Sequence, residues 1–120
     1  MTDSIFGRTH ALPAGPRVRV RLARPGDVPA VAGLLAARGV AAGELELRRL
    51  LSFDPAQRIV LCAFAPIDGS ETLAGLGAID LRPDAGPDTI VVDERLTDGL
   101  GPLLGEILVG RARAHGRRVA

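Results

Sequence analysis

The 120-residue sequence has almost no aromatic side chains: three Phe, no Trp and no Tyr. Proteins that bind single-stranded nucleic acids stack the bases on aromatic rings. The formal net charge of +1 supplies no field that would attract a polyanion or an anionic membrane. We therefore expect neither as a partner. Lysine is also absent, which excludes Schiff-base chemistry and the lysine of a phosphate-binding loop.

Cysteine and histidine are equally scarce. The single cysteine, Cys62, lies in the most apolar segment, where cysteine behaves as a small hydrophobic side chain. His10 and His115 are far apart in the sequence and form no ligand set, so we expect no metal site. No apolar run reaches membrane-spanning length, and the N-terminus lacks the apolar core of a signal peptide. The sequence therefore predicts a cytoplasmic protein.

The sequence divides into a lead and one domain. Residues 1 to 16 mix Pro and Gly with polar residues and are interpreted as a flexible lead, and residues 17 to 120 as the domain. From position 17 to 22, arginines alternate with apolar residues. This period of two predicts a half-exposed strand near a sheet edge, with three arginines on one face: Arg17, Arg19 and Arg21.

The remaining patterns predict two helices and three strands before a last helix. The helices are expected over residues 28–38 and 43–52, and the strands over residues 59–65, 72–81 and 89–93. Asp27 is placed to cap the first helix. The continuous apolar run at 59–65 indicates a central strand covered on both faces. Gly75 and Gly77 indicate a bulge or a close approach in the next strand.

A strand, a glycine turn and an amphipathic helix follow one another between residues 89 and 116. The first turn of a helix leaves N–H groups without partners and carries the positive end of the helix dipole. The turn Gly99-x-Gly101 can therefore bind a phosphate, although the same pattern is typical of a simple connector. Asp93 and Glu94 close the strand at the mouth of this turn, as a general base or as a solvated strand end.

Three segments in this order resemble a known family. They are RVRLARPGDVPAVAGLL, LAGLGAIDL and ERLTDGLGPLLGEILVGRARAHGRRV, which are similar to a first strand with its helix, a meander strand and a pyrophosphate loop with its helix in the GNAT family of N-acetyltransferases. The resemblance covers residues 17 to 119, the first two-thirds of the family. It implies an α+β (α/β) fold of order β-α-α-β-β-β-α, with a mixed, mainly antiparallel sheet, truncated before the family's fifth strand.

The resemblance also implies a reaction and its residues. The loop amides would cradle the pyrophosphate of acetyl-CoA, and Asp93 or Glu94 would deprotonate a primary amine on a small-molecule or protein acceptor. The family's basic loop position falls on Leu96, one residue after Arg95. The implied cofactor-binding residues are Val91, Val92, Arg95, Gly99, Leu100, Gly101 and Leu103.

A noncatalytic interaction or dimerisation module is the alternative. With no strand following the last helix, the sheet edge at residues 89–93 would stay open unless a second copy or another chain paired with it. The arginine face of the first strand would then contribute to docking. A truncated acetyltransferase without activity is a third interpretation.

Overall fold

A computed structural model describes residues 8–12, 17–54, 56–67, 69–81, 89–93 and 97–114. These residues form three layers, with a five-stranded sheet between one long helix and a pair of short helices. The strands are β1 (Arg8–Ala11), β2 (Arg17–Leu22), β3 (Arg58–Ile67), β4 (Ser70–Asp80) and β5 (Thr89–Val92). The helices are α1 (Val28–Ala37), α2 (Glu44–Leu51) and α3 (Thr97–Ala114). None of the described helices is long and apolar enough to cross a membrane.

The strands lie in sequence order, β1-β2-β3-β4-β5, and every described pairing is antiparallel. The α+β class predicted from the sequence is therefore confirmed. The strands and helices expected between residues 17 and 93 all exist, with bounds within a few residues of those predicted. Among the described residues, β1 and β5 are the two edges of the sheet.

One strand was missed. β1 lies inside the segment interpreted as a flexible lead, so that interpretation is wrong for residues 8 to 11, which pair with β2. The stretch RTHA has no apolar alternation, and its pairing depends on backbone hydrogen bonds that the sequence does not reveal. Leu12, next to it, is buried. As a consequence β2 is an interior strand, and it lies next to the edge strand β1, near the sheet edge as predicted.

α3 packs on one face of the sheet through two glycines. A Cβ atom on Gly75 would lie 3.0 Å from Cδ1 of Leu104, and one on Gly77 would lie 3.0 Å from Cδ1 of Leu108. Both leucines are fully buried. The predicted close approach is therefore present, because larger side chains at these positions would push α3 away from β4.

The predicted bulge is present as well. Ala63 of β3 pairs with Gly75, whereas its neighbour Phe64 pairs with Leu73, so Ala74 is an extra residue in β4. A bulge of this kind bends the strand and increases its twist.

α1 and α2 cover the opposite face. Their buried leucines pack against Val60 and Cys62 of β3, while the alternate residues Ile59 and Leu61 point to α3. β3 is therefore buried on both faces, as the apolar run predicted. Gly39, with φ of 75°, follows the end of α1, the left-handed conformation that commonly ends helices.

Candidate functional site

The junction between β5 and α3 differs from the prediction. Gly99 and Gly101 were expected in a turn before the helix, but α3 begins at Thr97 and contains both. Gly99 has φ of 99°, a conformation that L side chains rarely adopt. The start of α3 is therefore an irregular turn that depends on glycine at position 99.

Pro102 explains part of this irregularity. It lies inside α3, where a proline ring normally clashes with the carbonyl four residues earlier. Here that carbonyl belongs to Asp98, in the peptide unit that precedes Gly99. Because φ of Gly99 is far from the helical value of about −63°, this peptide unit is rotated out of the helical orientation. We interpret Gly99 and Pro102 as two parts of one irregular helix start.

The side chains of Leu100 and Leu103, the two leucines predicted to bind the cofactor, pack into the core. Leu100 is fully buried, and its Cδ2 atom would lie 3.1 Å from a Cβ on Gly75. Leu103 is partly buried against the same core. At these two positions a ligand would meet the backbone. Around Gly101, in contrast, a Cβ would meet nothing within 4 Å, so the Cα of this residue faces open space.

Val91 and Val92 hold β5 between the two layers. Val91 packs against the core under α1 and α2, and Val92 packs against the core under α3. Their partners in β4 are Leu76 and Gly75. Within the described part of the chain the other side of β5 has no neighbouring strand, so Val91 and Val92 could offer a ligand only their backbone groups on that side.

Asp93 is fixed by the bulge. Its N–H donates a hydrogen bond of 2.7 Å to the carbonyl of Ala74, the extra residue of β4. The side chain is half-buried. Only residues 94 to 96 separate Asp93 from the start of α3, so a carboxylate and a helix N-terminus lie at the same end of β5. Glu94 and Arg95, the other predicted site residues here, lie outside the described residues.

A buried ion pair lies on the α1/α2 face, where the sequence predicted an exposed arginine. Nη1 and Nη2 of Arg21 each donate to the Asp27 carboxylate over 2.8 Å, and the two side chains are 10% and 11% exposed. The backbone N–H of Arg24 also donates to Asp27. Asp27 occupies the N-cap position of α1 as predicted, but its carboxylate makes no cap hydrogen bond to that helix, because it accepts from Arg21 and Arg24 instead.

The pair sets the charge states around it. Burial alone would raise the pKa of Asp27, but the hydrogen bonds from Arg21 and Arg24 outweigh it, and the pKa lies below its ordinary value of 3.8. The Asp27 hydrogen bond raises the pKa of Arg21. Burial, together with the Asp27 charge, raises the pKa of Cys62 to about 12. Cys62 is thus a protonated core thiol and no nucleophile.

Arginines also flank the ring of Phe64. The Cζ atoms of Arg21 and Arg19 lie 4.6 Å and 5.1 Å from its centroid, within cation–π range. Arg19 also forms an ion pair with Glu71 of β4. The sequence could not predict these contacts from the spacing of the residues, because the pairing of β2, β3 and β4 brings them together. No group of three potential metal ligands occurs among the described residues.

No protein-family model matches this chain, and no curated protein matches it either. Among solved structures, it is similar to the GNAT domain of S. lividans PAT, with a TM-score of 0.76 and 16% sequence identity. The match covers 98% of this chain and 78% of that one. At this identity the likeness shows the fold, and the GNAT-like fold implied by the sequence resemblance is confirmed.

Proposed function

We propose, on the premise that the chain has the GNAT fold, that it transfers an acetyl group from acetyl-CoA to a primary amine. The observation that carries the proposal is the positive φ of Gly99 at the start of α3, directly beyond the end of β5. A backbone that only glycine adopts readily, at a helix N-terminus, is typical of sites where N–H groups approach an anion.

The backbone from Gly99 to Gly101 would hold the pyrophosphate. The N–H groups in the first turn of a helix, here including that of Gly99, lack intrahelical partners, and the helix dipole favours negative charge there. Leu100 and Leu104 fix α3 against β4, so these N–H groups are held in place before a ligand arrives. The open space at Gly101 fits a ligand close to the backbone. Bound acetyl-CoA would supply the thioester carbonyl that the amine attacks; the C–S bond would break as the amide forms, and coenzyme A would leave as its thiolate.

Asp93 would remove the proton from the acceptor ammonium, directly or through a water molecule. Its support is its position at the end of β5, with its N–H held by Ala74. Glu94 is the second candidate, as the next carboxylate in the sequence. Backbone N–H groups of β5 would stabilise the developing oxyanion.

Calorimetric titration with coenzyme A tests the binding step. We expect the wild-type chain to bind, and Gly99→Ala to bind roughly 5- to 30-fold more weakly, because a Cβ disfavours positive φ by roughly 1–2 kcal/mol. Gly110→Ala is the matched control: it adds the same methyl group to the same helix in open space. A folded wild-type sample that gives no heat at millimolar coenzyme A would overturn the proposal.

A second candidate function is an interaction module that uses the edge of β5. The strand sequence TIVV carries no charge, and Ile90 is 38% exposed, whereas edge strands normally carry protective charges. A second copy, or another chain, would pair with it. Light scattering on the wild type and on Ile90→Arg tests this: a dimer that the substitution dissociates supports the module, and a wild-type monomer at all concentrations contradicts self-pairing.

A further inference from the structure

The sheet face under α1 and α2 becomes exposed toward one end. Along β3, Cys62 is buried, Phe64 is half-buried and Pro66 is exposed. Along β4, Leu73 is buried and Glu71 is exposed. We call the exposed end, formed by Arg17, Arg19, Phe64 and Glu71, the arginine surface.

The arginine surface lies in line with Asp93. Arg19 pairs with Phe64, Phe64 pairs with Leu73, and the N–H of Asp93 bonds to Ala74, the next residue along β4. Val91 packs on the α1/α2 side, and Asp93 lies two residues further along the chain, directly beyond the end of β5 at Val92.

The strand order also gives an approximate distance between the arginine surface and the end of β5. β2 and β5 are separated by three strand spacings of about 4.8 Å, roughly 14 Å in total. The guanidinium of Arg19 lies over the ring of Phe64 on β3, one strand closer to β5. The distance from this guanidinium to the end of β5 is therefore about 10 Å, two strand spacings.

The charges of the surface favour an anion. Arg21 is neutralised by Asp27, and Arg19 is paired with the exposed Glu71. Arg17 is exposed and makes no ion pair within the described part of the chain. An anion could bind Arg17 and compete with Glu71 for Arg19, whereas a polycation would be repelled by the positive charge of Arg17.

We propose that the arginine surface binds a carboxylate of the acceptor, so that the acceptor is an amine with a carboxylate about 10 Å away. An extended chain of three residues has about this length, which favours a short peptide over a polyamine. This inference rests on the proposed function, because the amine must reach Asp93.

Two probes that differ in one charge test the inference: triglycine and triglycinamide, whose carboxylate is replaced by an amide. We titrate each into the coenzyme A-saturated chain and into the chain alone. We expect triglycine to bind about tenfold more tightly, as for a charge-assisted hydrogen bond. Equal binding of the two peptides, or no binding of triglycine, would overturn the inference.

Variants locate the effect. Arg17→Gln with Arg19→Gln should remove the preference for triglycine, and Glu71→Gln should increase it because the competing carboxylate is gone. Arg48→Ala is the matched control, since Arg48 is 67% exposed on α2 and pairs only with Glu44 among the contacts described. The assignment is contradicted if substitutions of Arg17, Arg19 and Glu71 leave the preference for triglycine unchanged. It is also contradicted if Arg48→Ala changes this preference by the same amount. Coenzyme A affinity, measured on the same samples, reports separately on the proposed function.

Discussion

The two faces of the sheet hold their helices by different means. α3 is positioned by apolar packing, with Leu104 and Leu108 seated on Gly75 and Gly77. The opposite layer has an apolar core too, but the entry into α1 is fixed by the buried pair between Arg21 and Asp27. Steric fit therefore determines the position of α3, whose backbone we propose as a ligand site. Charge pairing determines the position of the chain that enters α1, on the face where we propose side-chain contacts to a ligand.

This contrast has a functional consequence. On the α3 face, Leu100 and Leu103 are packed into the core, so a ligand at the start of α3 would be held by N–H groups at positions that packing determines. On the α1/α2 face, guanidinium and carboxylate groups extend beyond the helices as the arginine surface. We propose that the first face serves the cofactor and the second serves the acceptor.

The largest stability effect should come from breaking the buried charge pair. Asp27→Asn leaves the Arg21 guanidinium buried without its counter-ion, and we expect a loss of about 3–5 kcal/mol in the free energy of unfolding. Denaturant unfolding measures it. Arg48→Ala, which breaks an exposed pair, should cost only about 0.3–0.5 kcal/mol; equal losses in the two variants would contradict the contrast between the pairs.

Asp27→Asn should also change the pH dependence of the free energy of unfolding. Because folding lowers the pKa of Asp27, its contribution is complete above its unfolded pKa of about 3.9 and is lost as the pH falls through the lower folded value. Wild-type stability should therefore decrease below about pH 4, and Asp27→Asn should show a smaller decrease. Parallel pH profiles for the two proteins would show that Asp27 is not the titrating group.

An intermediate effect is expected on the α3 face. Gly77→Val places a Cβ 3.0 Å from Cδ1 of Leu108 and 3.6 Å from Cβ of Leu104, and overpacking of this kind costs about 1–3 kcal/mol. Gly110→Val adds the same atoms in open space on α3 and should not destabilise the fold. Thermal unfolding compares them, and an unchanged Gly77→Val would mean that steric fit does not position α3.

The smallest stability effect concerns Cys62, which lies between the layers. Cys62→Ala removes a weak contact of 3.8 Å from Sγ to Asp27 and should cost about 1 kcal/mol. With its pKa raised to about 12, the native thiol should resist alkylation at pH 8 and react once the chain unfolds. Rapid labelling of Cys62 in the folded chain would contradict the conclusion that β3 is buried on both faces of the sheet.

Most helices and strands could be predicted because their apolar residues recur at the spacing that places them toward the core. The apolar run of β3 and the pattern of α1 and α2 needed no knowledge of distant residues. β1 was missed because its four residues pair through the backbone. The start of α3 was misplaced because a glycine pair is typical of a turn, whereas here Gly99 takes its unusual φ inside the helix.

The site was less predictable than the fold. Alternation in β2 identified an arginine face correctly, but it could not show that Asp27 meets Arg21 or that Glu71 meets Arg19, since these partners come from other elements. Asp93 was predicted as a site residue from its place after β5, and this role also remains a prediction; its hydrogen bond to the Ala74 bulge depends on the register of β4. The roles of Glu94 and Arg95 remain predictions.

The most direct test is a titration of the ¹⁵N-labelled chain with coenzyme A, followed by backbone amide NMR. The account predicts that the largest shifts occur at the amides of Gly99, Leu100 and Gly101, with smaller shifts along β5. Saturable binding whose shifts fall elsewhere, for example on α1 and α2, or no shifts at millimolar coenzyme A, would contradict it.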